Sequence, residues 1–363
     1  MLSTMSAMLI DGSQRVRIAD LGRRVVAGEE ITPEQGRWLF GLEDRGEIFE
    51  LLGWANRIRE QYQGNKVRLC SIINLKAGGC PEDCRFCAQA ARYETGSPRY
   101  SLIESDTVRA AAREATVNGV AALGLVAAWR GLEEGAVLDE VCEHFEELKQ
   151  SGQVRADASL GMIRTQRVAD RLAQAGVACY NHNLETSERF FPQVCTTHTY
   201  GDRIRTLEHL RQAGMLLCSG GILGMGETAD DRCDLAFALK QIGVQVVPLN
   251  FLNPIAGTPF AHCVPLTPLE ILKSIACFRF VLPRQEITIA GGRSVNLRDL
   301  QSLIFLAGAS GLMVGNYLTT PNQPVERDLQ MLKDLGLTVK GEKERLEGQH
   351  KPGTLCRQAR ACA

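Results

Sequence analysis

The chain is expected to fold as an α/β protein, a (β/α)8 TIM-type barrel with an N-terminal helical extension and a short C-terminal appendage. Two observations predict it. Eight short apolar runs alternate with amphipathic stretches from residue 67 onward; strand–helix alternation builds a parallel sheet, and eight units are the number that closes a barrel. The unusual polar residues gather at the C-terminal ends of those runs, which is the rim where barrels carry their sites. The second observation favours the barrel over its rival, a doubly wound open sheet.

The elements follow in order. Residues 18–65 place apolar side chains at three- and four-residue steps, so they are expected to be helical. The strand candidates are 67-VRLCSIINL-75, 119-GVAALGLVAA-128, 154-VRADASLG-161, 176-GVACYNHNL-184, 215-MLLCSGGILG-224, 245-QVVPLNFL-252, 286-EITIAGG-292 and 311-GLMVGN-316. The stretches between them include 137–150, 164–176 and 202–214, and several end in the glycine expected just past a helix C-terminus. The tail holds one further helical stretch, 326–336, and then a charged segment. The expected division is 1–65 helical extension, 66–320 barrel and 321–363 appendage.

Composition narrows the function class. A length of 363 residues allows a large core. The 41 basic and 42 acidic residues leave a net charge of −1, with no basic surplus for nucleic acid. The first 16 residues lack a basic region followed by a long apolar run, and no stretch has the length to span a bilayer. With 13 cysteines and no such leader, a reducing, cytoplasmic setting is expected, and metal ligation is favoured over disulfides.

The chemistry concentrates in 79-GGCPEDCRFCAQ-90, with thiols at Cys80, Cys84 and Cys87 and an aromatic ring at Phe86. Three thiolates on a tight loop hold three corners of a cubane 4Fe-4S cluster and leave its fourth iron open to a substrate. A structural zinc site needs four closed ligands, and nothing nearby in sequence supplies the fourth. The loop resembles that of the radical S-adenosylmethionine enzymes. That resemblance implies that the open iron chelates S-adenosyl-L-methionine, whose reductive cleavage yields a 5′-deoxyadenosyl radical able to take hydrogen from unactivated carbon.

Other segments narrow the family. The CPEDC loop with the following RYETG at 92–96, and the runs 180-YNHNLETS-187, 217-LCSGGILGMGET-228, 248-PLNFLNPIAGTP-259 and 317-YLTTPN-322, together resemble the biotin synthase family over roughly residues 66–322. The resemblance implies sulfur insertion into dethiobiotin, usually by a homodimer reduced by a flavodoxin or ferredoxin. It places dethiobiotin against Asn181 and Asn250, whose amides offer both donors and an acceptor to its ureido ring, and its carboxylate at Thr319 and Thr320. It places S-adenosylmethionine against Phe86, Asn183 and Glu185, with Gly220, Gly221 and Gly224 admitting the nucleoside or methionine moiety. Thr319 and Thr320 also suit a turn before Pro321.

The sequence departs from the family at the second cluster. The better-known biotin synthases hold a two-iron cluster on three cysteines and an arginine. Here those positions fall at or next to Gly124, Asp157, Cys218 and Thr288, and one thiol cannot hold such a cluster. Cys70 and Cys195 occur where that version has no ligand. Cys70, Cys195 and Cys218 are therefore expected to bind a different auxiliary iron–sulfur cluster, four-iron rather than two-iron, that carries the sulfur to be donated. The alternative is that Cys70 and Cys195 are small buried residues. Arg293, ending the seventh strand, is a candidate for that auxiliary site or for a structural ion pair. The competing functions are another radical enzyme on the same barrel, such as a mutase or a hydrogenase-maturation relative, and a non-enzymatic iron–sulfur carrier.

Overall fold

The computed structural model describes residues 2–316 and 322–340, with side chains from residue 14 onward. Thr319 and Thr320 lie outside the described residues. Three helices open the chain: α1 (Leu2–Val26), α2 (Pro33–Phe40) and α3 (Arg45–Gln63). Their breaks follow local chemistry. Thr32 and Gln35 form a reciprocal capping box in front of α2, with Pro33 in its first turn. Asp44 caps α3 through the amide of Glu47, and Gly64 ends it at φ 67°.

The barrel then runs β1 (Lys66–Lys76), β2 (Ala122–Ala127), β3 (Arg155–Ser159), β4 (Cys179–Asn181), β5 (Leu216–Cys218), β6 (Val246–Phe251), β7 (Glu286–Ile289) and β8 (Gly311–Met313). Each pairs in parallel with the next, and β8 returns to β1 through Arg68↔Gly311 and Cys70↔Met313, so the sheet closes. All eight apolar runs became barrel strands. Outside them stand α4 (Ser105–Val117), α5 (Ala136–Ser151), α6 (Gln166–Ala175), α7 (Tyr200–Gln212), α8 (Ala229–Ile242) and α9 (Pro268–Val281). The β7–β8 connection is shorter, with α10 (Arg293–Leu297) and α11 (Leu303–Leu306). After the barrel, α12 (Val325–Asp334) leads to Thr338–Val339, which adds to the start of β1.

The N-terminal helices explain α9, which is buried from Ile271 to Val281. A barrel helix normally keeps a wet face; this one packs against α2 and α3 on its far side. Its buried cations are matched by oxygens. Lys273 donates to the Leu42 carbonyl, and Arg279 donates to Gly308, Leu282, Pro283 and Gln285 carbonyls and to Ser310 Oγ. Arg279 thereby ties the α9–β7 turn to the entry of β8.

Arg293 belongs to the frame as well. It is completely buried and pairs bidentately with Asp328 of α12 at 2.8 and 2.9 Å, with further bonds to Gln301 and the Met313 carbonyl. It is therefore a structural ion pair joining α10 to α12 and does not face the barrel cavity, which corrects its candidacy for the auxiliary site. No described helix is long and apolar enough to cross a membrane.

Candidate active site

A cavity of about 300 Å³ occupies the barrel axis, running from the cysteine loop at the C-terminal rim down to Arg68, Asp157 and Glu286 near the strand starts. Cys80, Cys84 and Cys87 all border it, and so do Phe86, Asn181, Asn183, Glu185 and Asn250. These residues come from the β1 loop, β4 and β6. The sequence order scatters them, and barrel closure brings them to one wall.

The loop's acidic pair fixes its position. Asp83 accepts from the amides of Thr196 (2.8 Å) and Thr197 (3.2 Å), from both their hydroxyls, and from the Cys195 thiol at 3.1 Å. Burial pushes the Asp83 carboxyl up, but these donors outweigh it and hold it well below the usual carboxylate range. Glu82 meets Arg130 at 2.6 Å, His198 at 2.8 Å and the Thr197 hydroxyl. Segment 195–198 is thus a brace for the cluster loop. The two acidic residues and Arg203 were not singled out as site residues by sequence; the signal was the PED spacer itself, whose charges require partners once buried.

The expected auxiliary trio is divided. Cys195 lies with Cys84 and His198, all three ligand atoms within 4.8 Å of one another. The hydrogen bond from the Cys84 thiol, against the effect of burial, draws Cys195 down to about 4. Cys70 and Cys218 instead border the lower cavity. The reason is the path after β4: the chain turns outward through the short helix Phe191–Gln193 and returns under the cysteine loop, where Asp83 captures it. Cys195 therefore does not join the other two, a correction to the expected convergence.

The polar side chains form a connected set. Asn181 Nδ2 donates to Asn183 Oδ1 (3.1 Å) and Cys218 Sγ (3.2 Å), and its Oδ1 accepts from Ser159. Asn183 Oδ1 also accepts from the Gly220 amide at 3.1 Å. Asn250 accepts from the Gly291 amide at 2.8 Å and donates to the Gly221 carbonyl at 3.2 Å, so it also joins two rim loops. Each amide retains hydrogen-bonding capacity beyond these contacts. Glu185 sits at φ 70°, a left-handed conformation uncommon outside glycine. One oxygen lies 3.4 Å from Arg203, while Oε2 is buried without a partner. Burial pushes its pKa up and Arg203 opposes that. A partnerless carboxylate oxygen at the cavity wall, beside three thiols free of disulfides, fits a cluster-bound ligand that brings hydroxyl donors, as a ribose does.

The glycines have a packing reason. A Cβ at Gly220 would stand 1.9 Å from the Pro248 carbonyl oxygen, and one at Gly221 would stand 2.4 Å from the Glu185 carbonyl oxygen. Gly224, at φ 98°, gives its amide to Glu227. Close approach is required here by neighbouring backbone. His182 also reaches the cavity wall, and its Nε2 is buried without a partner.

The fold and the three-thiol mouth define a class, the radical S-adenosylmethionine barrel enzymes. The Radical SAM superfamily pattern matches residues 75–239, and the Biotin and Thiamin Synthesis associated domain matches 248–338. The biotin synthase of Geotalea daltonii is 45% identical over 325 residues, covering 90% of this chain and 98% of that protein. That of Heliobacterium modesticaldum is 49% identical over 313 residues, covering 86% and 95%. The chain belongs to the biotin synthase family. Among solved structures, methylornithine synthase superposes with a TM-score of 0.78 at 18% identity, covering 91% of this chain and 99% of that one. The FeFe-hydrogenase maturase HydG from Carboxydothermus hydrogenoformans gives 0.72 at 16%, covering 93% and 82%. These two likenesses are of fold.

Proposed function

We propose that this protein is a radical S-adenosylmethionine sulfurtransferase that inserts sulfur into dethiobiotin to give biotin. The observation that carries the reading is the convergence of Cys80, Cys84 and Cys87 with the Asn181, Asn183 and Glu185 wall on one cavity, in a chain whose curated relatives are biotin synthases over nearly its whole length. When bound, a 4Fe-4S cluster with S-adenosylmethionine on its open iron supplies a radical for hydrogen abstraction, chemistry that belongs to the cofactor.

The chain's own residues do the rest. Cys80, Cys84 and Cys87 hold the cluster at the mouth, and Phe86 packs beside it. Glu185 receives ribose hydroxyls on its free oxygen, Asn183 aligns that contact, and Gly220, Gly221 and Gly224 set the backbone beneath it. Asn181 and Asn250 bind the ureido ring, which holds the two saturated carbons at fixed distances from the radical source and the sulfur. Thr319 and Thr320 receive the carboxylate. A largely enclosed barrel keeps bulk solvent from quenching the radical. Cys70 and Cys218, which border the lower cavity, would help to hold a second iron–sulfur cluster there, which would supply the sulfur; a four-iron cluster is the reading, because Gly124, Asp157 and Thr288 stand at the ligand positions of the family's two-iron one. A flavodoxin or ferredoxin supplies electrons, and the enzyme works as a cytoplasmic homodimer.

Mutase and maturase readings share the fold with this chain at under a fifth identity, which does not extend to chemistry. A cluster carrier has no use for the Asn181/Asn250 pair. The test is product analysis: reconstituted protein, kept anaerobic and reduced, is incubated with S-adenosylmethionine and dethiobiotin. Biotin together with 5′-deoxyadenosine is expected; deoxyadenosine without biotin would overturn the assignment.

A further inference from the structure

Cys195 stands at the cluster mouth but holds no iron in the proposed function. Its segment is laced to the cysteine loop on both sides of Cys84. Ahead of Cys84, Asp83 accepts from the amides of Thr196 and Thr197, and its own amide donates to the Thr197 hydroxyl at 3.2 Å. Behind Cys84, the Arg85 amide donates to the Val194 carbonyl at 2.9 Å. Cys84 and Cys195 therefore stand opposite one another, as in an antiparallel pair. Positions opposed in that way have Cα atoms roughly 4.5–5.5 Å apart, and a disulfide spans roughly 4.4–6.8 Å. The two sulfurs are hydrogen-bonded to each other, and both are free thiols.

The two thiols differ in access. Cys84 borders the cavity, while Cys195 is 2% exposed behind it. Asp83 Oδ1 at 3.1 Å, His198 Nδ1 at 3.2 Å and Thr197 Oγ1 at 3.4 Å surround the Cys195 sulfur. His198 Nε2 accepts from Arg203 at 3.1 Å, so the ring carries its proton on Nδ1, which faces Glu82 and Cys195. An imidazole with both nitrogens engaged has no lone pair left for a metal. Cys84, Cys195 and His198 have their ligand atoms within 4.8 Å of one another, and this tautomer makes them a thiol pair with a donor beside it rather than a metal site. Among the described residues, neither Cys80 nor Cys87 joins that close group.

We propose that, in the chain without its cluster, a small organic disulfide oxidises Cys84 and Cys195 to a reversible internal disulfide, which withholds Cys84 from the cluster until a dithiol reduces it. The effect on cluster loading rests on the reading of Cys84 as a cluster ligand. The cavity-facing Cys84 thiolate attacks one sulfur of the small disulfide, releasing one small thiol and leaving a mixed disulfide. Cys195 then attacks the Cys84 sulfur and expels the second small thiol. Two protein thiols give up two electrons and two protons, and the small disulfide takes them to become two thiols. Thiols of an empty site are otherwise open to irreversible oxygenation; the internal bond keeps Cys84 recoverable.

The test uses full-length protein freed of iron by a chelator, checked for folding by thermal melting and treated anaerobically with 2-hydroxyethyl disulfide. Peptide mapping without reduction should find Cys84 linked to Cys195. In Cys195→Ser or Cys195→Ala protein, the link should be replaced by a hydroxyethylthio adduct that stays on Cys84. Treated wild-type protein, given iron and sulfide, should take up on the order of four fewer iron atoms per chain than untreated protein, and dithiothreitol should restore the uptake. Folded wild-type protein with no link, or with Cys84 joined to Cys80 or Cys87 instead, overturns the proposal. A complete link with undiminished iron uptake overturns the block on loading and removes Cys84 from the cluster ligands. Neither readout uses biotin, so a failed product assay leaves this result standing.

Discussion

Replacing Asp328 by alanine should be among the most damaging single changes outside the site. Arg293 and Asp328 are both completely buried and joined by two bonds of 2.8 and 2.9 Å. Without the carboxylate, the guanidinium keeps only Gln301 and the Met313 carbonyl, and its Nε already lacks a partner. Removing one member of such a pair strands a buried charge at a cost of about 3–5 kcal/mol. That is a change of roughly a hundredfold to several-thousandfold in the folded population, and a midpoint shift on the order of 1 M urea. The assay is urea denaturation followed by tryptophan fluorescence, with an Arg293→Met, Asp328→Leu double variant beside it. The double variant should recover most of the loss, because two apolar side chains leave no charge to solvate. A loss for Asp328→Ala of about 0–1 kcal/mol, the size of an exposed pair, would refute the reasoning.

Other expectations follow from the same geometry. Glu185→Gln should weaken S-adenosylmethionine binding by roughly tenfold or more, since a charged hydrogen bond contributes about 1.5–3 kcal/mol; calorimetric titration of the reconstituted protein measures it, and unchanged affinity removes Glu185 from the site. Gly220→Ala should yield poorly folded protein, because the new methyl would meet the Pro248 carbonyl oxygen at 1.9 Å, and a normal melting curve would contradict this. Asp202, third residue of α7, closes a capping box with Thr199, and its bonds from Thr199, first the hydroxyl and then the amide, hold its pKa at about 2. A depressed carboxyl stabilises the fold above its unfolded value, about 3.9, and loses that contribution as pH falls through 2. Asp202→Asn should therefore melt lower than wild type at pH 6, with the gap closing toward pH 2; a gap that does not change with pH would contradict it.

The eight strands were legible because period and length do not depend on distant residues, and the cysteine loop because its ligand spacing is local. Two features were not. The outward path of residues 184–199 is set by Asp83 capturing Thr196 and Thr197, a contact across more than 100 residues, so sequence could not show that Cys195 sits beside Cys84. Arg293 likewise finds Asp328 only once α12 folds back. The glycines were read for a ligand's approach, while the nearest atoms belong to the chain's own backbone.

The central claim is that the sulfur placed in the product comes from the protein's own lower-cavity cluster. The direct measurement is a single turnover by protein reconstituted with heavy-isotope sulfide, then freed of excess sulfide, with the biotin read by mass spectrometry. Biotin carrying the heavy sulfur is the predicted result; biotin whose sulfur is entirely of natural isotope, or no biotin despite released deoxyadenosine, would contradict it.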